Sequence, residues 1–198
     1  WRAVPARVEG VIEERIGRLE PVLHEILSVA SVEGERFTAD VIARVQGVSE
    51  RQLLRSLSQL DKRHRLVRER EEARVDHLRL SRYQFAHILF QGYLYRGLSS
   101  GERRLLHGEI AQALEGLYEG HIDEITVQLA HHYLKAGESE KAAGYLDRSS
   151  DQARRLAALE EAARHYRAAL EHWPPTEQIG RAPGVRGCYS GYRAQSVG

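Results

Sequence analysis

The stretch 38–60, TADVIARVQGVSERQLLRSLSQL, decides the fold expected for this chain. Thr38 is a good N-cap for a short helix from Ala39 to Val45, and Gly47 is a suitable residue to end it. Ser49 is a good N-cap for a second helix. Leucines then recur at helical spacing, at Leu53, Leu54, Leu57 and Leu60. Two helices joined by a tight turn that contains glycine are typical of a helix-turn-helix.

After this stretch the pattern changes from helical to alternating. Residues 66–70 and 75–80 alternate with a period near two, and residues 83–85 continue the second run. Such alternation indicates strands, and two neighbouring strands predict a charged β-hairpin. A helix-turn-helix followed by a hairpin is a winged helix, and we expect this domain to occupy residues 1–85.

Helical periodicity also predicts the elements on both sides of this stretch. One helix is expected from about Pro5 to Leu19, and a second opens at Pro21 and ends near Gly34. Helices are expected further along the chain near residues 86–97, 99–118, 122–136, 138–155 and 158–172. The chain should therefore be mainly α-helical.

Small residues and tyrosines recur between Leu129 and Leu170, in a pattern that resembles the tetratricopeptide repeat. Small side chains let antiparallel helices approach closely, and the tyrosines fill the gaps between them. The expected organisation has four parts. They are a winged-helix domain at 1–85, a helical linker at 86–121, tetratricopeptide-like helical hairpins at 122–173, and a disordered or non-native tail at 174–198.

Composition excludes several classes of protein. The charged residues nearly cancel, at a net charge of +1, so the whole molecule has no general attraction to nucleic acid or to an anionic membrane. Cys188 is the only cysteine, which rules out an intrachain disulfide and favours a reducing, cytoplasmic location. No apolar run approaches the roughly 18 residues that span a bilayer.

Because the chain begins at Trp1 and has no methionine, we expect it to be part of a longer protein.

Four segments carry a longer resemblance: YQFAHIL at 83–89, Tyr95, RRLLH at 103–107 and QLAHHY at 128–133. Together and in this order they resemble bacterial signal-transduction ATPases with numerous domains, which are similar to the maltose-regulon activator and to ATPase-fused nucleotide cyclases. In that family an ATPase domain precedes a winged helix, a helical linker and tetratricopeptide-like repeats. The resemblance implies a regulatory segment that relays nucleotide state to protein partners.

The ATPase domain itself is absent from this chain. No G-x-x-x-x-G-K-[ST] motif occurs, and glycine never precedes lysine. We therefore expect no enzymatic activity and no bound cofactor in this segment. ATP or ADP would be bound by an upstream domain, and that domain and a protein on the repeat helices are the expected partners.

His87 is the sharpest candidate site residue. In related ATPases a histidine at the matching position of the winged helix contacts the β-phosphate of bound ADP, so the resemblance implies that His87 is a nucleotide sensor. An imidazole N–H is a suitable donor to a phosphate oxygen. The alternative is a histidine that caps or packs locally at a helix start.

A second hypothesis is DNA binding. The second helix of the helix-turn-helix and the residues just after it would face the duplex. The side chains expected to contact it are Arg51, Gln52, Arg55, Lys62 and Arg63. The alternative is a solvated face with ion pairs to neighbouring carboxylates. The resemblance favours that alternative, because this winged helix usually contacts other domains in the family. A third hypothesis makes the segment an internal regulator of a nucleotide cyclase.

The ten histidines also raise the question of a metal site. His131 and His132 are adjacent, so on a helix their side chains diverge by about 100°. His107 and His121 lie on separate expected elements, and no H-E-x-x-H motif occurs. We therefore expect neither a metal site nor a catalytic centre.

Overall fold

The computed structural model describes residues 6–76 and 78–171, and it is mainly helical with a small antiparallel sheet. The expectation of a mainly α fold is therefore confirmed. Contacts divide the chain into one compact unit that extends to Gln152 and a second that begins at Ala153. The expected tail at 174–198, with Cys188, lies outside the described residues.

Most elements are helices joined by short turns. In the first half of the chain they are α1 (Ala6–Gly17), α2 (Pro21–Glu33), β1 (Arg36–Thr38), α3 (Ala39–Gln46), α4 (Glu50–Gln59), a π-helical turn (Leu60–His64) and β2 (Val67–Glu69). In the second half they are β3 (Ala73–Val75), β4 (Leu78–Leu80), β5 (Arg82–Phe85), α5 (Ile88–Gly97), α6 (Ser100–Leu117), a 3-10 turn (Ile122–Glu124), α7 (Thr126–Ala136) and α8 (Ser139–Glu171).

The turn between α3 and α4 forms as its sequence predicts. Gly47 adopts a left-handed conformation with φ 63°, which costs glycine little. The Ser49 hydroxyl accepts a hydrogen bond from the Gln52 N–H at 3.3 Å and so caps α4. Thr38 stands at the N-cap position of α3, but its side chain makes no capping bond. Instead the Ala39 N–H donates to the Ser81 carbonyl at 2.9 Å, which ties the start of α3 to the loop before β5.

Strand β5 lies between β1 and β2 in a three-stranded antiparallel sheet, and β3 pairs with β4 as a separate hairpin. The predicted hairpin joined residues 66–70 to a second run that began at 75–80 and continued through 83–85. The structure divides that run into β4 and β5, and only β5 pairs with β2, so the expectation of one continuous second strand is wrong. Val67 lies opposite Phe85, and Phe37 of β1 lies opposite Tyr83. This pairing places the buried side chains of all three strands on the core.

Helix α2 is the central helix of the first unit. It contacts α3, α5, α6 and β1, and its residues from Ile26 to Val32 are all buried. A helix that is apolar on every side needs neighbours on every side. Helix α6 packs against α2, α3 and α7, so the residues before and after His87 share one hydrophobic core.

Helix α8 is continuous from Ser139 to Glu171, so the expected break between residues 155 and 158 is wrong. Residues 155–158 are Arg-Leu-Ala-Ala, all strong helix formers, so no residue at the predicted break would stop the helix. Within the second unit, the side chains of residues 153–167 are exposed. In the described part of the chain, no helix combines the length and the apolar character needed to cross a membrane.

The cap at Ser49 gives a direct test of the α3–α4 turn. We expect Ser49→Ala to lower the free energy of unfolding by about 1 kcal/mol, because the Gln52 N–H loses its partner. Urea denaturation followed by circular dichroism measures this change. Ser49→Asp retains an acceptor at the cap and should stay within about 0.5 kcal/mol of the original protein. Equal losses in the two variants would contradict the capping role.

Candidate functional site

His87 occupies the junction between strand β5 and helix α5. Its backbone is extended, and its Nδ1 accepts a hydrogen bond from the Leu89 N–H at 3.1 Å, so the side chain is the N-cap of α5. Because Nδ1 is the acceptor, the neutral ring carries its proton on Nε2. The residue is exposed, and Nε2 has no hydrogen-bond partner among the described residues. The ring therefore both caps the helix and presents a donor to solvent.

The backbone on either side of β5 holds this junction in place. The Phe85 N–H donates to the Glu35 carbonyl at 3.0 Å, and the Ala86 N–H donates to the Leu66 carbonyl at 2.8 Å. These bonds come from segments before β1 and before β2. The position of the His87 ring is therefore set by the sheet as well as by its own helix.

The residues of the DNA-binding hypothesis form an exposed face on α4 and the π-helical turn. Leu53 and Leu57 of α4 are buried, whereas the candidate residues are exposed, namely Arg51, Gln52, Arg55, Lys62 and Arg63. None of the four cations forms an ion pair within residues 6–76 and 78–171. This face is on different elements from His87, and the two sets of candidates do not form one site.

The structure brings together histidines of α6 and α7 that are far apart in the sequence. His107 of α6 and His132 of α7 are 2% and 1% exposed, and their Nδ1 atoms are 2.9 Å apart. On the other side of its ring, His107 Nε2 is 3.1 Å from the Tyr95 hydroxyl. His131 completes the group, with its ring edge-on to both other imidazoles, but it is exposed.

The two close Nδ1 atoms need one shared proton between them. If His107 donates, its Nε2 must accept from the Tyr95 hydroxyl. If His132 donates, His107 carries its proton on Nε2 and donates it to the Tyr95 oxygen. The orientation of the tyrosine O–H is therefore coupled to the tautomers of two buried histidines.

Burial keeps both histidines neutral. Burial, together with smaller contributions from His131, Lys135 and Arg103, lowers the pKa of His107 to about 4. Burial likewise lowers the pKa of His132 to about 3, with smaller contributions from His107 and His131. A proton on either ring would be a desolvated charge without a counter-ion.

Glu33, near the C-terminal end of α2, is a second titratable group that sequence analysis missed. Both of its carboxylate oxygens lie 3.1 Å from the Thr38 N–H, which donates to them. Burial nevertheless raises the pKa of Glu33 to about 8, since desolvation outweighs the bond from Thr38 and the attraction of Arg82. At neutral pH this carboxyl is mostly protonated.

The sequence contains a signal for the histidine pair. His132 lies one turn after Leu129 and beside Tyr133, on the buried face of α7, and His107 precedes the buried Ile110 and Ala111 on α6. A histidine on an apolar helix face needs a buried partner. Within the described ranges, no group of three or more histidine, cysteine, aspartate or glutamate side chains is arranged to hold a metal ion.

No protein-family model, curated protein or solved structure matches this chain. The described residues offer three candidate sites, which are the His87 junction, the exposed basic face and the histidine group. Of these three, sequence analysis singled out the first two, and the third depends on the packing of α6 against α7.

The histidine pair predicts a definite pH dependence. In the unfolded chain His132 takes up a proton below about pH 6.5, whereas in the folded chain its ring stays neutral down to about pH 3. Its contribution to stability is therefore present above pH 6.5 and is lost as the pH falls. We expect His132→Gln to reduce the loss of stability between pH 7 and pH 5 by about 2 kcal/mol relative to the original protein.

Urea denaturation at the two pH values measures this difference. The variant must be compared with the original protein because Glu33 changes stability in the opposite direction. Its carboxyl gains a proton in the folded state as the pH falls below about 8, which stabilises the fold. His165→Gln, at an exposed histidine of the second unit, is the control and should leave the pH dependence unchanged. An unaltered pH dependence in His132→Gln would show that His132 is not held neutral.

Proposed function

We propose that this chain is a regulatory and interaction segment of a signal-transducing ATPase, in which residues near His87 sense nucleotide state and the later helices relay it to protein partners. The observation that carries the proposal is the capped His87 ring with its exposed Nε2–H. A fixed imidazole donor suits a phosphate oxygen of a nucleotide held by a neighbouring domain.

The arrangement of the first unit supports a winged helix. Helices α3 and α4 are joined by the turn at Gly47, and α3 contacts β1 of the sheet β1–β5–β2. The resemblance to multidomain ATPases depends on this order of parts, followed directly by a helix. Strand β5 leads into α5 through Ala86 and His87, so the proposed sensor stands where the two parts meet.

Direct contacts couple this junction to the helices that follow. The Gln91 side chain of α5 donates to the Ser31 carbonyl of α2 at 2.6 Å. Arg82 of β5 donates to the Tyr118 hydroxyl, at the end of α6, at 3.3 Å. A change in the position of α5 would disturb buried neighbours on α2 and α6, because closely packed interiors transmit displacement.

Helix α7 and the first part of α8 support the tetratricopeptide-like assignment. Gly137 ends α7 in a left-handed conformation, and Ala142 of α8 is buried. The rings of Tyr133 and Tyr145 stack with centroids 5.8 Å apart. Small residues and stacked tyrosines at a helical hairpin are the features that suggested the repeat, and we propose that these helices hold the protein partner.

The sensor role predicts a selective effect of His87. In the protein that joins this segment to its ATPase domain, we expect His87→Ala to speed ADP release about tenfold, because a charge-assisted hydrogen bond of about 1.5 kcal/mol is lost. Release of a fluorescent ADP analogue, followed by stopped flow, measures the rate. Basal output should rise with the release rate.

His87→Asn is the matched variant, since asparagine can also cap α5 but does not place a donor where the imidazole Nε2 lies. If His87 contacts the phosphate, both variants release ADP faster. If His87 only caps the helix, the asparagine variant behaves as the original protein does. Unchanged ADP release in both variants would refute the sensor role.

A second candidate function is DNA binding. The basic face of α4 favours it, because its cations form no ion pair with the residues that the structure describes. Arg51 and Arg55 are one turn apart and exposed, with Gln52 beside them. Cations at this spacing on one helix face can contact phosphates along a groove. The nearby acids of the chain, including Glu50 and Glu69, oppose this function by repelling phosphate.

DNA binding predicts an effect of charge at this face. If it occurs, Arg51→Gln combined with Arg55→Gln should weaken binding and reduce the slope of log affinity against log salt by about 2. Fluorescence anisotropy on a random duplex at low salt measures both quantities. Arg164→Gln combined with Arg167→Gln removes the same charge from the second unit and is the control. Equal effects of the two pairs would indicate nonspecific attraction only.

A further inference from the structure

A cavity of about 520 Å³ lies among α2, α5, α6 and α7, wholly within the first unit. Its volume is in the range that accommodates small organic ligands. The buried His107 lines it, and so does Tyr95, whose hydroxyl is bonded to that histidine. Neither the His87 junction nor the basic face of α4 contributes to this cavity.

Two glycines leave room in its wall. Gly34 follows α2 and Gly92 lies within α5, and both line the cavity together with Val32. A Cβ added at Gly92 would meet only the end of the Arg96 side chain, at 4.0 Å. The Tyr95 ring adds an apolar surface to this wall. These residues offer an apolar environment to the body of a ligand.

The charges around the cavity are mainly positive. Arg96 and Lys135 line it and are exposed, and Lys135 forms no ion pair within the described ranges. Arg96 has only a long, exposed pair with Glu9, at 4.0 Å. Glu33 is the one carboxyl among the described residues that line the cavity, and its raised pKa of about 8 leaves it mostly uncharged at neutral pH.

The positive charges near the cavity also affect the pKa of the buried His107. After burial itself, the charges that lower the pKa of His107 are those of His131, Lys135 and Arg103. All these groups act on a ring that lines the cavity, and they come from α6 and α7. An anion placed near this ring would be attracted by Lys135 and Arg103.

The Tyr95 hydroxyl can adapt to such an anion. When His132 donates to His107, the His107 Nε2–H donates to the tyrosine oxygen, and the tyrosine O–H becomes available for another acceptor. A ligand oxygen in the cavity would favour this arrangement. The histidine pair can therefore supply a neutral hydrogen-bond donor in addition to the two cations.

We propose that this cavity binds a small organic anion, an apolar group that carries a carboxylate or a phosphate. The apolar group packs against Val32, Gly92 and the Tyr95 ring. The anionic oxygens face Lys135 and Arg96 and accept the Tyr95 O–H. This role is independent of nucleotide sensing at His87, and it would give the segment a ligand of its own.

A second cavity provides an internal comparison. It has a volume of about 690 Å³, lies among α1, α2, α5 and α6, and is lined by Glu9, Glu25 and Glu102. Arg96 lines this cavity too, but the three carboxylates outnumber it and would repel an anion. Size alone would favour this larger cavity, whereas charge favours the smaller one.

Isothermal titration of the full chain at pH 7.5 tests the proposal, with phenyl phosphate and benzoate as anionic probes and phenol as the neutral one. We expect at least one anionic probe to bind about tenfold or more tightly than phenol, and the tighter anion identifies the head group. Lys135→Gln should weaken anion binding about tenfold. Tyr95→Phe should weaken anion binding severalfold and leave phenol binding unchanged.

Lys62→Gln removes an equal charge far along the chain from the cavity residues and should leave anion binding unchanged. Inorganic phosphate should bind more weakly than phenyl phosphate, because it cannot occupy the apolar wall. The proposal is overturned if neither anion binds better than phenol. It is also overturned if Lys135→Gln, which alters an exposed side chain, binds the anions as the original protein does. No nucleotide is used, so a failure here is distinct from a failure of the sensor role.

Discussion

Strand β5 is hydrogen-bonded along both edges, to β1 on one side and to β2 on the other. It buries Tyr83 and Phe85 against Phe37 of β1, with ring centroids 6.0 and 5.4 Å from that of Phe37. Burial of aromatic side chains is a large stabilising contribution for so small a sheet. Because α5 begins directly after this strand, the sheet determines where the second half of the chain starts.

The direction of α5 then fixes the remaining helices of the first unit. It packs on α2, which is surrounded by neighbours, and α6 returns across α2 and α3. Helix α7 packs against α6 and brings His132 to His107. The cavity exists because α2, α5, α6 and α7 meet around Tyr95 and His107. The His87 junction and the cavity thus both depend on the position of α5.

The two sites use histidine in different ways. His87 is exposed, and its ring has one nitrogen bonded within its own helix and the other directed outward. Capping is thus compatible with a sensor role, since the cap orients the donor. His107 and His132 are buried and neutral, and their value lies in how they pass a hydrogen bond to Tyr95. Buried polar pairs of this kind are stable only when every partner is satisfied.

Local sequence determined the features that depend on neighbouring residues. The turn at Gly47, the cap at Ser49 and the leucine face of α4 follow from backbone preference and periodicity, which act over a few residues. The placement of His87 at the start of a helix was predictable for the same reason. These elements carry the nucleotide-sensing and DNA-binding hypotheses.

Only the tertiary structure decided the partners of residues far apart in the chain. Strand β1 has three residues, too few for a periodic signal, and it forms because β5 offers a free edge. On its other edge β5 pairs with β2, while β4, which precedes β5, pairs with β3. His107 and His132 are 25 residues apart, and the charge of Arg82 on β5 acts on the half-buried Glu33. Their pKa values, and the cavity beside them, arise from packing that no local pattern encodes.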